Sequence, residues 1–182
     1  MKRNTKDEIY NALLSHVNRK GIADISTLEL AKELGISESV IFYHFKNVRN
    51  LVDECAVRYD RELMEKAVQC ILDGKDMSQT WDVLMEYVLK EPNGANFYFD
   101  YVNYYGFDPT ENNKRSDEFL KIAKILFKEK SGLDNHTILV LWDYITTQLF
   151  YYCNKMTKGF MEPNEENKAL VKKIAFLVYD NI

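Results

Sequence analysis

The sequence predicts an all-α protein built from two sub-domains. Apolar residues recur at helical spacing along most of the chain, and alternating, strand-like runs are few. Seven glycines and three prolines separate these stretches, and these residues are the strongest local breaks in regular structure. The 182 residues, 46% of them hydrophobic, are sufficient for a packed core shared by two sub-domains.

The predicted helices follow from capping residues and apolar spacing. Thr5 and Glu8 form a capping box at the start of the first helix, and Gly21 ends it. Ser26 and Asn164 are predicted N-caps of later helices. The remaining helices are expected at about 27–34, 38–44, 47–72, 78–90, 95–105, 110–130, 135–158 and 164–182.

Composition excludes several classes of protein. No run approaches the ~18 apolar residues that a membrane span requires, and no apolar stretch of a secretory signal follows the charged N-terminus. Cys55, Cys70 and Cys153 are odd in number and far apart, which favours a reducing compartment over a disulfide framework or a zinc site. We therefore expect a cytoplasmic protein with no membrane partner.

Motifs of catalysis are missing from the sequence. It contains no Gly-x-Ser-x-Gly, no His-Glu-x-x-His and no glycine-rich phosphate loop. Its three histidines, His16, His44 and His136, are scattered. We weighed an enzyme as a rival class and expect none, with no cofactor and no metal site.

Charge is distributed unevenly along the chain. The net charge is −4, but residues 1–50 carry eight Lys/Arg and six Asp/Glu, so that this part is +2 and the remainder −6. A mildly basic head on an acidic body is compatible with nucleic-acid contact through one end.

Residues 26–45 have the pattern of a helix-turn-helix. A short helix ends at Leu34 and Gly35, a brief turn follows, and Ser37 precedes a second short helix. Apolar residues can close a small core in the angle between the helices, namely Leu30, Ala31, Leu34, Ile36, Val40 and Ile41. The outer face of the second helix is then free to enter a DNA major groove.

Residues 9–51 resemble the DNA-binding domain of the TetR family. The matching positions are Ile9, Ala12, Val17, Gly21, Ser26, Leu30, Ala31, Gly35, Ile36, Ser37, Phe42, Tyr43, His44, Phe45 and Leu51. The resemblance implies a sequence-specific DNA-binding transcriptional regulator, most often a repressor. It also implies two domains, a DNA-binding domain over residues 1–47 and an effector-binding and dimerisation domain over residues 48–182.

The resemblance also assigns DNA-contacting roles. Four residues resemble phosphate-contacting positions, and the positive ends of nearby helices would help them: Ser26, Thr27, His44 and Lys46. Four others resemble groove-facing positions that select the sequence: Glu38, Ser39, Val40 and Tyr43. Ser37 and Arg49 complete the predicted set. The alternative for Tyr43 and His44 is aromatic closure of the domain core, the role that we expect for Phe45.

Some residues depart from the family pattern. Phe42 stands where the family usually has a tyrosine that contacts phosphate, Val48 replaces a lysine, and His16 replaces a leucine. Glu38 places a negative charge at the front of the recognition helix, where it either repels phosphate or accepts a hydrogen bond from a cytosine amino group. These departures support an alternative function, a protein-interaction adaptor of the same fold with weakened or lost DNA binding.

An effector site is predicted among aromatic residues. Seven of the eleven residues from 97 to 107 are aromatic, and Phe97, Tyr101, Tyr104 and Tyr105 share one helix face. With Trp81 and Trp142 they are the predicted contacts of a small, partly apolar or aromatic effector. The alternative for any single ring is ordinary core packing.

The last two helices predict a homodimer. The helix at 135–158 is apolar nearly all round, and the C-terminal helix has two apolar faces. Such helices have no polar face to expose to solvent. In a TetR-like dimer the last two helices of each subunit pack together as a four-helix bundle. A monomer with a thick core is the alternative. Two recognition helices about one DNA turn apart, ~34–36 Å, would read a palindromic operator.

Overall fold

The computed structural model describes residues 5–105, 120–128 and 132–182, and no β-strand occurs among them. The helices are α1 (Thr5–Lys20), a 3₁₀ helix (Ile22–Asp24), α2 (Thr27–Leu34), α3 (Glu38–His44), α4 (Val48–Leu72), α5 (Met77–Lys90), α6 (Pro92–Tyr105), α7 (Asn135–Thr157) and α8 (Glu165–Asp180). Residues 120–126 are also helical. The predicted all-α fold is therefore confirmed.

Most helix bounds lie close to those expected from the sequence. The exceptions are the 3₁₀ helix, which was not predicted, and α6, which begins at Pro92 instead of residue 95. Proline suits the first position of a helix because its missing N–H would have no partner there. Of the helix expected over 110–130, residues 110–119, 129 and 130 lie outside the described residues.

Side-chain caps explain where several helices begin. Ser26 and Asn164 cap α2 and α8 as predicted, each accepting a hydrogen bond from a first-turn amide. Three caps were not predicted, and one of them is Asn47, which caps α4 by accepting from the backbone N–H of Asn50 at 2.8 Å. Asp76 caps α5 through a capping box with Gln79, and Asp134 caps α7 by accepting from the backbone N–H of Thr137 at 2.8 Å.

The chain forms two compact units, Met1–Glu62 with Asn96–Gly106, and Leu63–Ala95 with Phe107–Ile182. In the first, α2 packs against α1 and α3, over a core whose buried members include Ile9, Leu13, Val17, Leu30, Ile41, Leu51 and Phe97. In the second, α7 packs against α5 and α8, and the buried residues include Trp81, Leu84, Leu141, Ile145, Leu149 and Val171. Cys55, Cys70 and Cys153 are buried free thiols, and burial raises the pKa of Cys55 and of Cys153 to about 12.

Candidate DNA-binding surface

Two short helices joined by a tight turn form the candidate DNA-binding unit. The Ser26 hydroxyl accepts a hydrogen bond from the backbone N–H of Glu29 at 3.3 Å, which begins α2. Gly35 ends α2 in the left-handed region at a φ of 63°, and the N–H of Ile36 returns to the Ala31 carbonyl at 3.0 Å. A side chain would strain the backbone at this φ, so Gly35 sets the angle at which α3 leaves the turn.

Apolar residues close the inner side of this unit. Leu30, Ala31 and Ile41 are buried as expected, whereas Leu34, Ile36 and Val40 are half-buried. The core of two such short helices is only one residue layer deep, so residues at its margin keep part of their surface in water. Because Ile41 anchors one side of α3, the opposite side of α3 faces solvent.

Most of the predicted DNA contacts lie on the accessible side of the unit. Tyr43 is 85% exposed. Others with exposed side chains are Ser37, Ser39, Lys46 and Arg49, while Ser26, Glu38, Val40 and His44 are half-buried. Thr27 is the one predicted contact that is buried. Most of the predicted contacts on the outer face of α3 and at the start of α4 are therefore accessible to a partner.

Thr27 is engaged inside the unit. Its hydroxyl donates a short hydrogen bond to the Glu38 carboxylate. Glu38 opens α3, where the partial positive charge of the helix end favours a carboxylate. The bond joins the start of α2 to the start of α3. A phosphate contact by Thr27 would need either its backbone N–H or the loss of this bond.

The aromatic end of α3 separates into a buried ring and exposed ones. Phe45 is buried, as expected for a core residue. Tyr43 packs edge-to-face on His44, with ring centroids 5.2 Å apart, and Phe42 is also exposed. Burial in the core accounts for Phe45 but not for Tyr43.

Arg49 is held by residues that the sequence analysis did not connect to it. Its Nε lies 2.8 Å from each carboxylate oxygen of Asp53, and its guanidinium lies 4.3 Å from the ring centroid of Tyr105. The Tyr101 hydroxyl donates to the same carboxylate at 2.9 Å. The hydrogen bond to Asp53 raises the pKa of Arg49. We call this set, Arg49, Asp53, Tyr101 and Tyr105, the Asp53 network.

Many cations of the N-terminal region are held in ion pairs. Hydrogen bonding to Lys20 lowers the pKa of Glu29 below its usual range. The pairs and their distances are Lys6–Glu54 at 3.0 Å, Arg19–Glu33 at 2.6 Å and Lys20–Glu29 at 2.6 Å. Lys32 and Lys46 are exposed and form no ion pair with the described residues. The net basicity counted from the sequence thus overstates the cationic charge available to DNA.

The predicted effector residues fall into the two units. Phe97 and Tyr101 are buried in the first unit, Tyr105 is half-buried and Tyr104 is 58% exposed. Their rings form a series in which Phe97 contacts Tyr101, Tyr101 contacts Tyr105, and Tyr105 contacts Tyr104. Tyr98, which is not among the predicted effector contacts, is buried as well, and its hydroxyl donates to Asp60 at 2.9 Å.

Trp81 and Trp142 belong to the second unit. Trp81 packs edge-to-face on Phe176 at 5.7 Å between centroids, and Trp142 lies 6.5 Å from Phe127. The indole N–H of Trp81 and the hydroxyl of Thr80 are buried without a hydrogen-bond partner. Buried polar groups are seldom left in this state. Sequence reasoning missed Thr80, since a threonine in an apolar helix carries no signal of its own.

No grouping of His, Cys, Asp and Glu in the described part of the chain could hold a metal ion. Among the same residues, no helix is both long and apolar enough to cross a membrane.

The arrangement of α2, the turn at Gly35 and the exposed α3 is that of the class of helix-turn-helix proteins.

Comparison with known proteins relates the N-terminal region of the chain to one family. Residues 6–55 match the family model of bacterial regulatory proteins of the tetR family. Over 57 residues the chain is 37% identical to the tetracycline repressor protein class D of Escherichia coli, which covers 31% of this chain and 26% of that protein. Over 89 residues it is 27% identical to the nucleoid occlusion factor SlmA of Aliivibrio fischeri MJ11, covering 48% and 45%. Each match spans less than half of the relative's own length.

Solved structures share the fold along nearly the whole chain. A TetR family transcription regulator from Marinobacter aquaeolei VT8 superposes with a TM-score of 0.75 at 14% identity, covering 94% of this chain and 93% of that one. A TetR-like transcriptional regulator from Rhodococcus sp. RHA1 gives 0.73 at 12% identity, with 100% of both chains covered. The N-terminal residues 6–55 thus match the tetR family model, and the described fold is that of solved structures of TetR family regulators. This family consists of regulatory proteins, in agreement with the expectation that the chain is not an enzyme.

Proposed function

We propose that the protein is a sequence-specific DNA-binding transcriptional regulator that inserts α3 into the major groove. The observation that carries the proposal is the asymmetry of α3, whose Ile41 is fully buried while Tyr43 is 85% exposed. A side chain exposed to that extent adds little to folding. On the outer face of a recognition helix it is available to base edges.

We propose residues 1–47 as the DNA-binding domain and residues 48–182 as the effector-binding and dimerisation domain. Helix α4 begins at Val48 and contributes residues to both compact units. Helix α6, Pro92–Tyr105, also contributes residues to both units, so a change in one unit can reach the other through either helix. On this proposal the predicted contacts at the outer face of α3 and the start of α4 meet the operator.

The active species is proposed to be a homodimer formed through α7 and α8. Both helices leave large apolar side chains in water, among them Val140, Tyr151, Leu170, Leu177 and Val178. Val140 and Tyr151 are eleven residues apart and Leu170 and Leu177 are seven apart, so each pair lies along one side of its helix. A second copy would cover these side chains and present two copies of α3 to a palindrome.

A small-molecule effector is proposed to control operator binding from the second unit. The unsatisfied Thr80 hydroxyl and Trp81 indole N–H lie among apolar residues, an environment that suits a partly apolar ligand with one or two polar groups. Of the predicted effector contacts, Trp81 and Trp142 belong to this unit, whereas Phe97, Tyr101, Tyr104 and Tyr105 belong to the first unit. There the Tyr101 hydroxyl and the Tyr105 ring are engaged in the Asp53 network. The effector acts through its different affinities for the two states of the dimer. Repression is proposed because one relative is named a repressor.

The test is a selection of bound fragments from genomic DNA by the purified protein, followed by a salt titration on the best site. We expect a palindrome whose log affinity falls with log salt at about −0.9 per phosphate contact. Tyr43→Ala should weaken that site about tenfold or more and leave thermal unfolding unchanged. Phe160→Ala, which removes an aromatic ring 77% exposed in the second unit, is the matched control and should bind as wild type.

The adaptor is the second candidate, and the ion pairing of the N-terminal region favours it. Lys6, Arg19, Lys20 and Arg49 face carboxylates of their own chain, so few cations are available to phosphates. Absence of any enriched DNA fragment, together with capture of a specific protein that Tyr43→Ala abolishes, would favour the adaptor. An enriched palindrome with steep salt dependence would exclude it.

A further inference from the structure

The second unit contains a cavity that the proposed function does not use. Its volume is about 470 Å³, within the range of small-molecule sites. It lies among the first turn of α5, residues 125–128 and the C-terminal half of α8. Its lining includes Asp76, Lys128, Lys173, Phe176, Tyr179 and Asp180. None of the predicted effector contacts is among them.

Lysines are the commonest charged residues of the lining, although the whole chain is acidic. They are Lys75, Lys128, Lys172 and Lys173, beside the two aspartates Asp76 and Asp180. Lys75 pairs with Asp73 and Lys172 with Asp82, two carboxylates outside the lining. Lys128 and Lys173 form no ion pair with the described residues. Lys128 and Lys173 are therefore the two cations of the lining that are available to an anionic group of a ligand.

The start of α5 adds to this positive potential. The Asp76 carboxylate accepts the backbone N–H of Gln79 at 2.8 Å, and the Gln79 side chain accepts the N–H of Asp76. This capping box leaves the first-turn amides of Met77 and Ser78 without a partner inside the helix. Unpaired amides and the helix dipole both favour a negative group.

Aromatic rings form the other part of the lining. Phe176 is buried, and its ring meets Trp81 on one side and Tyr179 at 5.6 Å on the other. Tyr179 also contacts Phe127 at 5.4 Å. These mutual contacts fix the rings in place, and Leu126 and Ile125 extend the apolar surface. The cavity thus offers an apolar wall beside a cationic one.

We propose that this cavity binds an organic anion, a carboxylate or phosphate ester with an aromatic or aliphatic body. The negative group is held by Lys128, Lys173 and the first turn of α5, and the body packs on Phe176 and Tyr179. The volume suits a ligand much larger than inorganic phosphate. None of the predicted DNA contacts lines the cavity. Because Lys173 lies within one helical turn of both Leu170 and Leu177, sedimentation of each variant separates a loss of ligand binding from a loss of the proposed dimer.

The experiment measures binding of 2-naphthoate, 1-naphthyl phosphate and laurate to the full-length protein by isothermal titration calorimetry. Neutral 2-naphthamide and inorganic phosphate are the matched probes for the two halves of the ligand. We expect at least one organic anion to bind in the micromolar range, and both matched probes to bind at least tenfold more weakly. The double variant Lys128→Glu with Lys173→Glu should lose at least tenfold in affinity for the bound anion.

Lys124→Glu is the control, because Lys124 is an exposed lysine of the same helical stretch that does not line the cavity. It should bind as wild type, and far-ultraviolet circular dichroism should be equal for all variants. Equal loss in Lys124→Glu would mean only a general charge effect. Equal binding of naphthamide and naphthoate, or no binding of any organic anion at millimolar concentration, would overturn the proposal.

Discussion

At the residue scale, the least expected feature of the recognition helix is the negative charge at its first position. The Glu38 carboxylate accepts a hydrogen bond from the Thr27 hydroxyl. A residue of the same domain therefore orients this carboxylate in the absence of DNA. This bond joins α2 to α3 and gives Glu38 a structural role. The same carboxylate lies close to the surface that phosphates would approach, where it opposes them.

We predict that Glu38→Gln strengthens DNA binding by about twofold to tenfold, on the order of 1 kcal/mol. The amide oxygen can still accept from Thr27, so the joint between α2 and α3 is kept while the charge is removed. The affinity for the best site and for a random duplex should rise together, as measured by fluorescence anisotropy at two salt concentrations.

Glu65→Gln, which removes an exposed carboxylate from the second unit, should leave the affinity unchanged. A weaker best site in Glu38→Gln, with an unchanged random duplex, would mean instead that Glu38 reads a cytosine amino group.

At the element scale, α6 contacts the first two turns of α4 through the Asp53 network. Tyr101 donates to Asp53, Asp53 holds Arg49, and Arg49 lies on Tyr105. Two of the rings predicted to bind an effector thus orient a predicted DNA contact. Any ligand that moved the end of α6 would change the position of Arg49.

We predict that Tyr101→Phe lowers the free energy of unfolding by about 1–2 kcal/mol, because a hydrogen bond to a charged acceptor is lost in a mostly buried place. Urea denaturation measures the change. Tyr104→Phe removes a hydroxyl from a ring that is 58% exposed and forms no hydrogen bond with the described part of the chain, so the stability of this variant should equal that of wild type. Equal effects of the two substitutions would argue against the network.

The cap of α7 predicts a dependence of stability on pH. The backbone N–H of Thr137 lowers the pKa of Asp134 below its ordinary value of 3.8. A carboxyl group whose pKa is lower when folded stabilises the fold above its ordinary pKa and loses this effect as pH falls through the folded value.

Asp134→Asn keeps a capping acceptor but removes the charge. We therefore expect wild type to be more stable than this variant at pH 7, and the difference to shrink as pH falls below the ordinary value of 3.8, in urea titrations at a series of pH values. Asp180→Asn, at the unfavourable end of the α8 dipole, should show no loss at pH 7. A pH-independent difference for Asp134→Asn would contradict the assignment.

At the scale of the whole molecule, local signals predicted the fold and most of the recognition unit. Helix ends at Ser26, Gly35 and Asn164 could be predicted, because each of these residues acts on the helix terminus beside it. Long-range partners could not be located. Asp53 and Tyr101 are 48 residues apart, and the lysines of the cavity come from three distant segments, so neither arrangement leaves a pattern in the sequence.

The proposed dimer is likewise a property of the whole molecule. About half of each side chain is exposed at Val140, Leu170 and Leu177. In a monomer this apolar surface would stay in contact with water and would not stabilise the fold. In a two-fold interface each residue faces the same patch of its partner, so one substitution acts twice.

We predict that Leu177→Glu converts the dimer into a monomer, since it places two carboxylates in a surface that would otherwise exclude water. Sedimentation equilibrium at micromolar concentration measures the change. The control is Leu72→Glu, at a leucine that is 74% exposed at the end of α4. It should remain dimeric, while the Leu177 variant should also lose at least a hundredfold in affinity for the palindrome, because the two heads no longer bind as one molecule. A monomeric wild type would contradict the proposed dimer. Dissociation of the Leu72 variant alone would place the interface on another surface.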